Sequence, residues 1–267
     1  MAGGKETPRQ KMIGMMYLVL TALLALNVTK EVVNAFVTIN DKLDASASII
    51  DDKINDDYTA FDLKKMTIVA KGGNMTLFNV WNGKADSLEN ETSKLISYIL
   101  GECNDMILEA EGEDWIAEGG TDANGNITKL KPLMKINVKD NYDIPTQLFV
   151  GSNPMAPIDR GLELSNKVHA YRDYVTTTMA TYSEGSNKWT FNPPSDSQGL
   201  KAALTTVNPK DTSKIAHFFK SLTIPETLYD YGEEKEIPWV SATFNHAPIV
   251  AAAAMFTSLK VDVKIGR

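Results

Sequence analysis

Between Lys11 and Lys30 the chain runs for eighteen residues without a charge, MIGMMYLVLTALLALNVT, and fourteen of them are apolar. As a helix rising about 1.5 Å per residue, such a run covers roughly 27 Å, close to the hydrocarbon thickness of a bilayer. Lys5, Arg9 and Lys11 precede it, while Glu31, Asp41, Asp44, Asp51 and Asp52 follow it with only a few lysines. Positive charge stays on the cytoplasmic side of a span. The sequence therefore predicts a cytoplasmic N-terminus at residues 1–11, a transmembrane helix at 12–29 and an extracytoplasmic remainder at 30–267, held in a membrane by one pass.

Two other readings compete for the same run. A cleaved signal peptide has this polarity, but a small-x-small cleavage site should follow the apolar stretch, and ALNVTKEVV is a poor one. A core helix of a cytoplasmic protein seldom goes eighteen residues without a charge. Thr7, Pro8 and Gln10 form a capping-box pattern for a helix start. From Met15 to Ala70 there is then no Gly and no Pro. Beyond the expected span, Val32, Phe36, Ile39, Leu43, Ile50 and Ile54 keep a three-four spacing, with Ser46 in the missing place, and such a seam packs against other helices. The expectation is one unbroken helix from about Pro8 to about Lys71, roughly 90 Å long, stopped by Gly72 and Gly73.

The remainder reads as all-α, a periplasmic helical bundle fed by the spanning helix. WNGKADSLENETSKLISYILGECNDMILEAEG places Leu88, Leu95, Ile99, Met106 and Leu108 at near-helical spacing. EGGTDANGNITKLKPLMKINVKDNYDIPTQLFVGSNP reads as an extended loop with room for a short hairpin or helical turn. A third helix begins near Ile158, carries the stripe Leu164, Val168, Tyr171, Val175, Met179 and Tyr182, and is broken by SEGSNKWTFNPPSD. Shorter helices fall on GLKAALTTV and TSKIAHFFKSL. After a Pro-punctuated loop, HAPIVAAAAMFTSLKVDVK is an Ala-rich helix able to pack closely, with an apolar centre too short to cross a bilayer. The abrupt end at Arg267 suggests a natural chain that continues.

Net charge is −7 with scattered basic residues, and without a basic stripe there is nothing to neutralise a run of phosphates, which excludes nucleic acid as a partner. Cys103 is the only cysteine, so no intrachain disulfide or Cys-based zinc cage exists, and on an apolar helix face it reads as a buried small residue. His169, His217 and His246 are too dispersed for a ligand pair, and no phosphate-binding, dinucleotide-binding or nucleophile-elbow motif occurs. DANGNITKLKPL imitates the opening of a calcium loop, but Ile127 stands where the turn needs Gly and Leu133 where a bidentate Glu belongs. DDKINDD reads as a solvated helix face. Neither enzyme chemistry, nor a metal, nor a cofactor is expected.

The informative polar groups lie on the first helix. Arg9 sits one turn before the hydrocarbon, where on sequence alone the simpler reading is that it, like Lys11, only reaches headgroups and sets topology, as does Lys5. Tyr17 and Thr21 share a face from which they can bond a neighbouring helix, with Thr21 equally able to bond its own backbone, and Asn27 is a further candidate contact. No acid lies between residues 7 and 30, so a proton-carrying acid in this membrane layer has to come from another subunit.

The string MAGGKETPRQKMIGMMYLVLTALLALNVTKEVVNAF closely resembles the N-terminus of the GldM/PorM family of Bacteroidota, and FNHAPIVAAAAMFTSLKVDVK resembles the last helix of that family's first periplasmic domain. The resemblance implies a subunit of a proton-motive-force-driven inner-membrane motor that powers gliding motility and type IX protein secretion. It implies a homodimer and a GldL-type multi-span partner forming a ring of about five copies around two spanning helices. It further implies contact with a GldK/GldN-type outer-membrane-associated ring through later domains. A glutamate of the GldL-type ring is the protonatable group in that family, and Arg9 matches the arginine proposed as its ionic counterpart. A membrane-anchored sensor or scaffold with a helical periplasmic domain is the alternative, and a secreted helical binding protein a third.

Overall fold

The computed structural model describes residues 8–73, 75–184, 186–232 and 234–266. At residues 8, 9, 11, 13, 19–29 and 184 only the backbone is described. Helix α1, Pro8–Ala70, runs for 63 residues, about 95 Å at the usual rise. The absence of Gly and Pro after Met15 removes every local cause of a break. It ends where the sequence predicts, with Gly72 at φ +65°, a conformation that side chains with a Cβ disfavour. The expected capping residue Thr7 and the headgroup residue Lys5 lie outside the described residues.

Helix α2, Thr76–Glu111, returns beside α1 and stops at Gly112, whose N–H, at φ +75°, donates to the Leu108 carbonyl. Leu95, Ile99 and Met106 are buried as expected, joined by Ile96, Leu100, Cys103 and Ile107, whereas Leu108 is exposed. The following loop is held by isolated bridges, Ile116 to Leu130 and Thr121 to Ile127. The Glu111 carboxylate accepts from the backbone N–H of Asn137 and Val138 and from the Asn137 amide. A short 3-10 turn at Leu133–Lys135, helix α3 at Asp143–Pro145 and a π turn at Thr146–Val150 lead to α4, Asp159–Ala180. Gly161 on α4 lets two backbones meet, because a Cβ there would lie 2.4 Å from both the Phe149 carbonyl oxygen and Val240 Cγ1.

The chain is mostly helical, as expected, and departs from all-α at two short hairpins. The segment that breaks the third helix forms an antiparallel hairpin of β1, Tyr182–Glu184, and β2, Asn187–Trp189. After α5, Leu200–Ala203, and α6, Thr212–Ser221, the Pro-punctuated loop forms a second hairpin, β3, Thr227–Asp230, with β4, Lys235–Pro238. Tyr182, expected on the helical stripe, is the first residue of β1. Both hairpins are too short and too polar to show strand periodicity in sequence. Helices α7, Trp239–Phe244, and α8, Ile249–Ile265, complete the chain.

The main core lies between α2, α4 and α8, where Ile99, Phe149, Leu164, Val168, Phe244 and Phe256 are fully buried. A smaller cluster, Phe191, Val207, Ile215 and Phe219, sits under the β1–β2 side. Arg172 joins the two. Its guanidinium, only 1% exposed, lies 4.1 Å from the Phe219 ring centre and donates to Asp173, Thr223 and the Pro194 carbonyl. A buried guanidinium of this kind is tolerable because its donors are occupied.

Candidate helix-clamping interface

Helix α1 is not a free spike above the apolar run. It lies along α8, and the paired residues ascend together on both helices: Val33 and Val37 meet Val250, Asn40 meets Thr257, Asp44 meets Lys260, and Asp51 meets Lys264. The two helices are therefore parallel. On α1 the contacting positions 33, 37, 40, 44, 47, 51 and 54 follow a heptad repeat, which keeps one stripe turned toward its partner. Val33, Val37, Ala47 and Ile54 are buried. Burial of the two valines contributes about 1.5–3 kcal/mol each.

Above this apolar foot the seam becomes polar. Thr257 Oγ1 donates to Asn40 Oδ1 at 2.6 Å and also lies against its own Ala253 carbonyl. Lys260 Nζ reaches Asp44 Oδ1 at 2.5 Å, with side-chain exposures of 10% and 50%. The Asn40 amide donates to the other Asp44 oxygen at 3.3 Å. One turn further, Lys264 pairs with Asp51. Each ammonium is deep and each carboxylate half in water. The acids therefore keep part of their hydration while fixing the register of lysines that would be costly to leave unpaired. Cys103 of α2 lies behind this ladder, 2% exposed. Burial pushes its thiol up to about 12, with the Lys260 ammonium opposing weakly.

The upper part of α1 is fastened to α2. Phe61 stacks on Phe78 with centroids 4.5 Å apart, and the Tyr58 hydroxyl donates to the Ala85 carbonyl at 3.4 Å. Beside them is an apolar cavity of about 330 Å³ lined by Tyr58, Phe61, Trp81, Leu88 and Met179. Lys84 at its edge donates to the Thr178 and Thr181 carbonyls, 2.8 and 2.5 Å away, and so closes the C-terminal end of α4. Burial lowers its pKa. This lysine serves the helix end.

The sequence places the seam one residue away from where it forms. The predicted stripe of Val32, Phe36, Ile39, Leu43 and Ile50 is exposed or half-buried, with Val32 at 44% and Ile39 at 48%, and only Ile54 is shared. Asp51 and Ile54 within DDKINDD belong to the interface, so that segment is solvated on only part of its circumference. The polar members Asn40, Asp44, Thr257, Lys260 and Lys264 were missed. Their signal was the i, i+4 lysine pair Lys260 and Lys264 on the mostly apolar α8, matched by acids at heptad positions of α1.

Of the membrane-layer candidates, Tyr17 is on α1 with 72% exposure. Arg9, Lys11, Thr21 and Asn27 share the helix backbone, but their side chains lie outside the described residues. Among the described residues no helix is long and apolar enough to cross a membrane, and the side chains of 19–29, most of the expected span, are not among them. Also among the described residues, His, Cys, Asp and Glu form no group that could hold a metal ion. In the calcium-like loop, Asp122 is occupied by its own turn. It accepts from the Asn126 amide and from the backbone N–H of Asn126 and Asn124, and these bonds lower its pKa.

These features define a helical scaffold in which one long helix is clamped along its side, and the geometry centres on packing and register. The chain belongs to the GldM N-terminal domain family, whose model matches residues 31–265. That family comprises structural or motor subunits of the membrane-associated machinery for gliding motility and type IX secretion, working with other subunits. A comparison with curated proteins finds no match.

Proposed function

We propose that this chain is the single-pass inner-membrane subunit of a motor driven by the proton motive force, with residues 12–29 spanning the membrane and the helical domain in the periplasm. The observation that carries the reading is the continuity of α1, which passes without interruption from the apolar run through Lys30 into the clamped seam on α8. Torque or tilt applied to the lower part of such a rod reaches the bundle, because Asn40, Asp44 and Asp51 fix both its position and its rotation. Two copies pair within a GldL-type ring of about five, and Arg9 faces a ring glutamate. The exposed Val32 and Ile39, on the flank of the helix beside half-buried Phe36, support pairing of α1 with a second copy.

The mismatch between two shaft helices and a larger ring means that the contacts cannot all be satisfied together, so protonating one ring acid changes which neighbour Arg9 prefers. The membrane potential supplies roughly 2.3 kcal/mol per charge per 100 mV, comparable with weakening one charge-assisted contact. Motion then passes to a GldK/GldN-type ring. Replacing Arg9→Ala is expected to leave the complex assembled but abolish gliding and secretion. Inserting Gly-Pro-Gly between Thr29 and Lys30 is expected to do the same while the domain stays folded. Normal motility in the insertion strain overturns transmission through α1.

A further inference from the structure

Helix α2 carries a stripe that the described chain leaves partly open. Leu77, Trp81, Ala85 and Leu88 recur at i, i+4, i+8 and i+11, so they share one face over about three turns, roughly 16 Å. Two hollows open along this face, one of about 330 Å³ at Trp81, Ala85 and Leu88 and one of about 560 Å³ at Leu77 and Trp81. Trp81 and Met179 line both, so the two hollows form one slot. Tyr58 and Phe61 of α1 wall it at one end, and Tyr182, whose ring centre is 5.4 Å from that of Trp81, walls it at the other. Leu77 is 65% exposed and Val80 beside it 51%. An aromatic and aliphatic floor left open over this length has the form of a groove that receives the apolar face of a helix.

The charges around the slot are uneven. From Leu63 to Ala85 the chain has Lys64, Lys65, Lys71 and Lys84 and no acid, in a protein whose net charge is −7. Lys210 and Lys214 add an exposed cationic rim beside Leu77. Of the two acids in the lining, Asp211 accepts from the Tyr182 hydroxyl at 2.6 Å, and Asp57 stands at the α1 end. The slot is therefore basic toward Leu77 and mildly acidic toward Tyr58. Tyr58 lies about 44 Å along α1 from Thr29, too far for lipid around residues 12–29 to reach, so the occupant is protein. The same region of a second copy does not fit, because its exposed Leu63, Met66 and Val69 sit among Lys64, Lys65 and Lys71 and would bring like charge to Lys210 and Lys214.

We propose that this slot is the docking site for an acidic amphipathic helix of a partner protein, with its apolar face on Leu77, Trp81 and Leu88 and its carboxylates toward Lys210 and Lys214. A helix seated there touches α1 through Phe61 and α4 through Met179. It therefore takes hold of the rod at the end opposite the apolar run, well beyond the seam on α8. The docking site needs only the described fold and stands whether or not residues 12–29 span a membrane.

The test uses the full chain in phosphatidylglycerol nanodiscs, whose anionic surface repels an acidic peptide, with empty nanodiscs as the blank. The probe is a fluorescein-labelled synthetic peptide of about 14 residues, roughly 21 Å as a helix, with leucine on one face and glutamate on the other. A control of the same composition is scrambled so that no face is apolar. Fluorescence anisotropy is expected to show the amphipathic peptide binding and the scrambled one binding about tenfold more weakly. Lys210→Glu with Lys214→Glu is expected to weaken binding about tenfold at low salt, and Leu77→Glu by as much. All three side chains are exposed, so circular dichroism of these variants is expected to match the parent. Binding that both variants leave untouched, equal binding of the scrambled peptide, or no binding of either overturns the proposal. With Leu77 replaced by benzoylphenylalanine, a photo-crosslink to the peptide is expected. A crosslink to a second copy of this chain that the peptide does not displace assigns the slot to self-association and overturns the proposal as well.

Discussion

Replacing Asp44→Ala tests whether the polar half of the α1–α8 seam sets register or merely decorates it. The substitution removes a 2.5 Å contact between a half-exposed carboxylate and the Lys260 ammonium, whose side chain is 10% exposed. Because Asp44 is half in water, the pair itself contributes only about 1 kcal/mol. Stranding a nearly buried ammonium adds about 1–2 kcal/mol more, so the single variant is expected to lose about 2–3 kcal/mol in all. Adding Lys260→Met removes the stranded charge and keeps the apolar stem, which brings the expected loss back to about 1 kcal/mol. Urea unfolding of the full chain in detergent, followed by tryptophan fluorescence, gives the coupling through a double-mutant cycle. Hydrogen exchange over residues 33–54 shows whether α1 lifts from α8. If the double variant loses as much as the two single variants together, Lys260 was never dependent on Asp44, and the ladder argument fails.

Gly161→Ala places a methyl group 2.4 Å from the Phe149 carbonyl oxygen, and thermal unfolding is expected to report a loss of about 1–3 kcal/mol. His169 has its pKa lowered by burial and by the nearby Arg172, and its ring accepts from the Ile224 N–H. A folded pKa below the unfolded value near 6.5 means that its contribution is full above about pH 6.5 and is lost as pH falls below it. Unfolding midpoints from pH 7.5 to 5 are expected to decline, and His169→Gln to flatten that slope. Cys103, buried and with its thiol pushed up to about 12, is expected to resist maleimide at pH 8 in the native chain and react within minutes in urea.

The long helix and its glycine stop were legible in sequence because they depend on local causes, the lack of Gly and Pro and then a residue free to take positive φ. The face that α1 buries was not. Apolarity favours Val32, Phe36, Ile39 and Leu43, yet the helix turns the adjacent heptad inward, because α8 offers Thr257, Lys260 and Lys264 to Asn40, Asp44 and Asp51. Polar groups at core positions make sense only once their partners are known, and these stand more than two hundred residues away. The hairpins escaped for a different reason. Strands of three or four residues carry too few alternations to be told from loop. In and before the apolar run, Arg9 keeps the status the resemblance gives it and Thr21 and Asn27 stay expected helix contacts, their side chains lying outside the described residues.

The distance in sequence between the two halves of the ladder also governs when the rod becomes firm. Thr257, Lys260 and Lys264 emerge from the ribosome long after α1 has been made, with separations of 217, 216 and 213 residues from their partners. Contacts so far apart form late, since the loop between them must already be compact before closure becomes favourable. A nascent chain would therefore hold α1 with its acids still bare in water until α8 arrives. Damage to the bundle that keeps α8 from its place would thus leave the acids of α1 without their lysines, however well α1 itself is formed.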